Sequence, residues 1–186
     1  MLLLLACATP NGSSDASGLT GPTTGDTAEG FECAPGFVEL DAACVYDDAA
    51  VAELVLTYTK VGFTRVNPEP FEQQTEPWWP RNVWVGDHTV GALEAYTAID
   101  PEDRGTVEFP VGTIFMHDAD GPPFVGVMVK LPEGSDEEYG DWAFRHFMND
   151  GTAIEEEACG GPPCMECHSL LEDTDMVWGV PWDALD

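Results

Sequence analysis

Hydrophobic positions change their spacing several times along the chain. Between Ala49 and Lys60 the apolar residues Val51, Leu54, Val55 and Tyr58 recur at the spacing of one helix face. Asp47 and Asp48 stand before this run as candidate caps, since a carboxylate there can accept from the unsatisfied amides of a first turn, and Gly62 closes it. The chain then passes through Phe63-Thr64-Arg65-Val66-Asn67 into a proline-rich connection marked by Pro68, Pro70, Pro77 and Pro80. From Arg81 to Gly86 the period shortens to two, with Val83 and Val85 opposite Asn82 and Trp84, which predicts a strand. A second helix is predicted after Asp87 as its cap, with Val90, Leu93 and Tyr96 on one face as far as Ile99.

Three strand-like runs follow the acidic turn Asp100 to Asp103: Val111 to Asp118, Phe124 to Leu131 and Asp141 to Met148. In the second, Val125, Val127, Val129 and Leu131 point one way and Gly126, Met128 and Lys130 the other. In the third, Trp142, Phe144, His146 and Met148 share a face. The turns between them, Asp120-Gly121-Pro122-Pro123 and Glu133-Gly134-Ser135, are short, and short turns join antiparallel neighbours. The expected architecture is α+β: a mainly antiparallel β sheet with flanking helices, spanning residues 49–186.

The charge balance excludes one class of partner. Against 35 acidic residues stand 6 basic ones, a net −29 at pH 7, and Lys60 and Lys130 are the only lysines. Such a surface repels nucleic acid phosphates and anionic headgroups, and would steer a basic redox partner. Residues 8–30 are almost all Gly, Ser, Thr, Pro, Ala and Asp and cannot bury enough apolar surface to fold, so they read as a flexible spacer. Ahead of them, the apolar run ending Leu4-Leu5-Ala6-Cys7 resembles the lipobox of bacterial lipoproteins, in which the cysteine carries the lipid. The run is too short to span a bilayer and lacks a positively charged start, which suggests a start codon upstream of Met1. A chain anchored this way meets the membrane only through its lipid, at the periplasm or outer membrane of a bacterial envelope.

The chemistry concentrates at Cys164-Met165-Glu166-Cys167-His168. Two cysteines at this spacing followed by a histidine form the attachment signature of a c-type haem. Each thiol adds across one haem vinyl group, and the adjoining side chain falls under the iron, making His168 the proximal ligand. A zinc half-site or a redox dithiol shares the cysteine spacing, but no second Cys/His pair stands at zinc-finger spacing. Of the other cysteines, Cys33 and Cys44 bracket a small loop within residues 31–48 and are expected to form a disulfide in an oxidising compartment. Cys159 keeps several options open: pairing with Cys33 or Cys44, a free thiol, or competition with Cys164 for a vinyl group.

Taken in order, these elements resemble the cytochrome P-460 family. The resemblance is carried by Phe63 to Asn67 with Pro70-Phe71, Asn82-Val83-Trp84-Val85, Ala95-Tyr96, Phe109-Pro110-Val111-Gly112-Thr113-Ile114 and Val127-Met128-Val129-Lys130. It continues through Gly140-Asp141-Trp142-Ala143-Phe144, Cys164 to His168 and Asp175-Met176-Val177-Trp178. It implies a mainly antiparallel sheet, often in a homodimer, with one covalently bound haem c. The family includes hydroxylamine-oxidising enzymes and the cytochromes c-prime-beta, which bind nitric oxide at an open distal position. In the oxidising members a lysine in the strand beginning Gly-Thr is cross-linked to the porphyrin. Here that strand reads Gly112-Thr113-Ile114-Phe115-Met116-His117-Asp118 and His117 stands at the lysine position. An imidazole cannot make the same bond through a primary amine, which favours the gas-binding or electron-carrying relatives.

Several further residues bear on the site. Met116, Met128, Met148, His117 and His146 are candidate sixth ligands, none in a position the family pattern marks as one, so a five-coordinate iron is expected. His117 is either a strand-end histidine facing solvent or a contact or ligand of the haem. Trp142 and Phe144 are expected to line the haem pocket, and Glu155 and Glu157 are candidate proton-handling carboxylates. Three functions compete: a monohaem cytochrome that binds or converts nitric oxide or hydroxylamine, a simple electron carrier, and a haem-free disulfide-stapled envelope module. No glycine-rich phosphate loop, nucleophile turn or calcium loop is present.

Overall fold

The period-two stretches become neighbouring strands. A computed structural model of the chain describes residues 32–72, 80–97, 108–119, 123–154, 168 and 175–177. Cys7, the spacer of residues 8–30, the turns at residues 100–103 and 120–122, Glu155, Glu156, Glu157, Cys159, Cys164, Cys167 and Trp178 lie outside the described residues. The chain begins with a hairpin, β1 (Phe37–Leu40) and β2 (Ala43–Tyr46), followed by helix α1 (Asp48–Val55). Strands β3 (Phe63–Arg65), β4 (Phe71–Glu72) and β5 (Pro80–Gly86) precede helix α2 (Val90–Thr97). Strands β6 (Ile114–Ala119), β7 (Phe124–Lys130) and β8 (Trp142–Met148) complete the order. The fold is α+β, and its sheets are antiparallel throughout: a β1–β2 hairpin, and a six-stranded sheet ordered β3-β5-β6-β7-β8 with β4 also on β5.

Register assigns every side chain of the large sheet to one of two faces. Val85 pairs with Phe115, Phe115 with Met128 and Met128 with Phe144, so these residues share a face. Val83, His117, Gly126 and His146 form the next row on that face. Helix α2 packs here through Ala92 and Tyr96, together with Phe109, Trp142, Met176 and Val177. The opposite face, with Ile114, Met116, Val125, Val127, Val129, Ala143 and Phe147, packs against α1 and the β1–β2 hairpin through Val51, Val55, Phe37 and Cys44. Two apolar layers on one sheet explain why β7 is nearly continuously hydrophobic.

The entry into this second layer is stapled. Cys33 and Cys44 form a disulfide, as expected from their spacing. Asp47 Oδ1 accepts the Ala50 amide at 2.7 Å and caps α1, while Asp48 starts the helix and accepts from Arg145 Nε at 2.9 Å.

Strand ends elsewhere shift by a single residue, but three boundaries move further from the sequence reading. Helix α1 ends at Val55 rather than Lys60. Thr57 explains the change: its hydroxyl approaches the Glu53 and Leu54 carbonyls and its amide bonds back to Leu54 O, so the chain winds on in tighter turns. Helix α2 begins at Val90, and the Asp87 carboxylate accepts from Thr64 Oγ1 at 2.6 Å. Strand β6 begins at Ile114 rather than Val111, because Gly112 turns with φ +85° and Thr113 bonds back to Pro110 O through both its amide and its hydroxyl.

Candidate functional site

The His117 row brings an arginine and two histidines together on one face of the sheet. His117 and His146 lie on β6 and β8, each paired in register with Gly126 on the strand between them. Gly126 leaves room for the His117 ring: a Cβ at that position would stand 2.0 Å from His117 Nε2, because the Nε2 end of the imidazole occupies the space a side chain would take. The two rings meet edge to face at 6.1 Å between centroids, and Phe124 packs on His146 at 5.7 Å. From β5, Arg81, only 9% exposed, brings Nη1 to 2.8 Å from His117 Nδ1.

That contact assigns the tautomer. A guanidinium only donates, so His117 Nδ1 accepts and the ring is neutral with its proton on Nε2. His117 is thus neither at a strand end nor simply solvent-facing; it is half-buried in mid-strand. Burial, and then the charges of Arg81, His146 and His168 that face it, hold its pKa well below the ordinary imidazole value.

His168 shows the opposite arrangement. Its Nδ1 stands 2.6 Å from the Met176 carbonyl oxygen, which can only accept, so the proton is on Nδ1 and Nε2 keeps its lone pair. Burial lowers its pKa, opposed in part by the Met176 bond, and so favours the neutral ring. A neutral imidazole with an unprotonated Nε2 and an Nδ1–H bonded to a backbone carbonyl is the form that ligates iron, so the residue fits the haem that the motif implies. The His168 ring rests on Phe144 at 4.9 Å between centroids. Phe144 and His117 are on the same sheet face, so the two histidines of opposite tautomer serve one side of the sheet.

The other expected residues divide. Trp142 lies on the His168 side of the sheet but is committed to the core, 5.9 Å from Phe109 and 6.0 Å from Phe115. Met128 lies on that side as well. Met116 does not: it is fully buried in the opposite layer and is no candidate ligand, because the period-two alternation turns it away from His117, its neighbour in sequence. Lys130, on the strand after His117, is held by Asp175. Sequence reasoning missed Arg81 altogether, and its link to His117 depends on a cross-strand neighbourhood that no single stretch displays. Among the described residues no group of three or more His, Cys, Asp or Glu side chains is gathered as a metal-ion site, and no helix is long and apolar enough to cross a membrane.

The neutral state of His117 has a measurable consequence. The unfolded chain protonates this imidazole below about pH 6.5, whereas the folded chain does not until lower pH. The unfolded state therefore binds more protons in that window. His117 contributes a stability that is fully present above pH 6.5 and falls on acidification by about 1.4 kcal/mol per pH unit. Urea unfolding of the parent and of His117→Gln at pH 7.5 and pH 5.5 isolates this slope as the difference between the two proteins. Parallel pH dependences would mean that the folded protein protonates His117 as readily as the unfolded one.

No curated protein matches this chain. The family model described as Cytochrome P460 matches residues 86–179, a span that runs from the end of β5 through α2 and the three strands β6 to β8 to just past the His168–Met176 contact. On that match over half of its length, with the sheet in the expected order, the chain belongs to the cytochrome P460 family.

Proposed function

We propose that this family member is an extracytoplasmic c-type monohaem cytochrome that binds nitric oxide or hydroxylamine at a five-coordinate iron. The haem is held by thioethers at Cys164 and Cys167 and by His168, and the domain is tethered to the envelope by lipid on Cys7 through the spacer of residues 8–30. The observation that carries the reading is the pair of opposed tautomers: His168 offers a lone pair at Nε2, and His117 offers a proton at Nε2. Bound haem supplies a metal centre that takes a small diatomic or amine and exchanges single electrons.

The rest is the work of the chain's own groups. Met176 holds the His168 ring in its ligating tautomer. Phe144 covers that ring with an apolar surface. Arg81 donates to His117 Nδ1 and keeps the ring proton on Nε2, so His117 acts as a hydrogen-bond donor rather than as a sixth ligand through Nε2. Glu155 and Glu157, shortly before the haem cysteines, are the carboxylates assigned to proton handling. With a histidine at the position of the cross-linked lysine, hydroxylamine is bound without the fast oxidation of the cross-linked relatives. The net charge of −29 favours a second reading, an electron carrier that docks a basic partner.

Optical spectra of the dithionite-reduced protein separate the two readings. Addition of nitric oxide is expected to shift the Soret band stoichiometrically, and hydroxylamine with an artificial electron acceptor is expected to show no sustained turnover. An unchanged spectrum would mean a six-coordinate carrier, and rapid turnover would contradict the role given to His117.

A further inference from the structure

The backbone that receives His168 is strained, and the structure shows what holds it there. Asp175 and Met176 both have positive φ, +50° and +61°, and neither is glycine. Consecutive left-handed residues of this kind are strained and persist only where their surroundings over-determine them. Here the Asp175 carboxylate takes four donor contacts on two oxygens. Lys130 Nζ reaches Oδ1 at 2.6 Å and Oδ2 at 2.7 Å, Trp142 Nε1 reaches Oδ1 at 3.2 Å, and the Phe109 amide reaches Oδ2 at 3.0 Å. The ion pair is secluded, with side-chain exposures of 15% and 12%. Lys130 Nζ also donates to the Gly140 carbonyl at 2.8 Å and sits 5.1 Å from the centre of the Trp142 ring. Gly140 closes the arrangement from the other side, since a Cβ there would meet Met176 Sδ at 3.2 Å.

We infer that Lys130 and Asp175 are positioning residues for the iron ligand: they clamp the left-handed pair so that the Met176 carbonyl meets His168 Nδ1–H and sets the donor strength of the ring. The clamp rests on the functional reading above, in which His168 ligates iron. Return of either residue to the right-handed region would turn the peptide after Met176 and take its carbonyl away from the imidazole. A carbonyl acceptor on Nδ1–H draws the proton outward and makes Nε2 a stronger donor, which stabilises the oxidised metal. Lys130, at the end of β7, and Trp142, paired with it at the start of β8, are fixed by the sheet, so this end of the sheet sets the ligand's electronics without touching it.

Asp175→Asn in the haem-loaded protein tests the inference. An amide has one oxygen in place of two, so in either orientation one set of donors meets an NH2 group. Resonance Raman of the ferrous form is expected to show a lower Fe–His stretching frequency, and potentiometry a positive shift of the midpoint potential, with haem per chain unchanged. Trp142→Phe, which removes one donor and keeps the charge pair, is expected to move both readings in the same directions by less, and it carries the test if Asp175→Asn does not fold. A merely structural role would lower the melting temperature and leave both readings at parent values, which would overturn the clamp. A pyridine haemochrome assay of the parent separates the two levels: a parent without thioether-bound haem overturns the functional reading, and a haem-bearing parent whose variants keep both values overturns the clamp alone.

Discussion

Protein matured in a host with c-type haem attachment machinery, boiled in detergent and run on a denaturing gel, is expected to keep its haem stain, and the Cys164→Ser/Cys167→Ser double variant to lose it completely. A thioether survives boiling, whereas a haem held only by an axial histidine does not. Each single variant retains one bond and hence part of the stain, with a pyridine haemochrome band displaced because one vinyl group stays unsaturated. His168→Ala is the complementary case: both thioethers remain and the stain persists, but the ferrous protein loses the spectrum of a histidine-ligated iron. A colourless parent, or mass spectrometry that finds the two sulfurs bonded to each other or to zinc, would remove the proposed activity.

Lys130→Met is expected to destabilise the protein by about 3 kcal/mol, because it leaves the Asp175 carboxylate buried without its cation. Against a typical domain stability of roughly 5–15 kcal/mol that is a large fraction, visible as a lower urea midpoint at constant slope. The Lys130→Met/Asp175→Asn double variant is expected to regain part of the loss, since no unpaired charge is then buried. Single losses that simply add would mean that the two side chains are not coupled. Urea curves thus measure the pair, while the Raman frequency of Asp175→Asn measures its reach to His168.

How much could be read along the chain differs from residue to residue. The faces of β7 were legible because Val125, Val127 and Val129 alternate with Gly126 and Met128, and period two alone assigns them. The Asp47 cap was legible because capping is settled within one helical turn. The end of α1 was not: the apolar spacing continues to Tyr58, and the competition between the Thr57 hydroxyl and the backbone ladder has no hydrophobic signature. Met116 could be named as a ligand candidate only while its face was unknown.

By itself the sequence determined what is local or compositional: the strand and helix periods, the acidic surface, the cysteines at 33 and 44, the haem-attachment spacing and the family's run of motifs. Only tertiary structure decided which groups share a face. Arg81, His117 and His146 come together because three cross-strand registers happen to coincide, and Lys130 and Asp175 meet although 45 residues separate them. Protonation follows the same division: a histidine's identity is written in the chain, but its tautomer depends on whether the atom opposite it can give a proton or only take one.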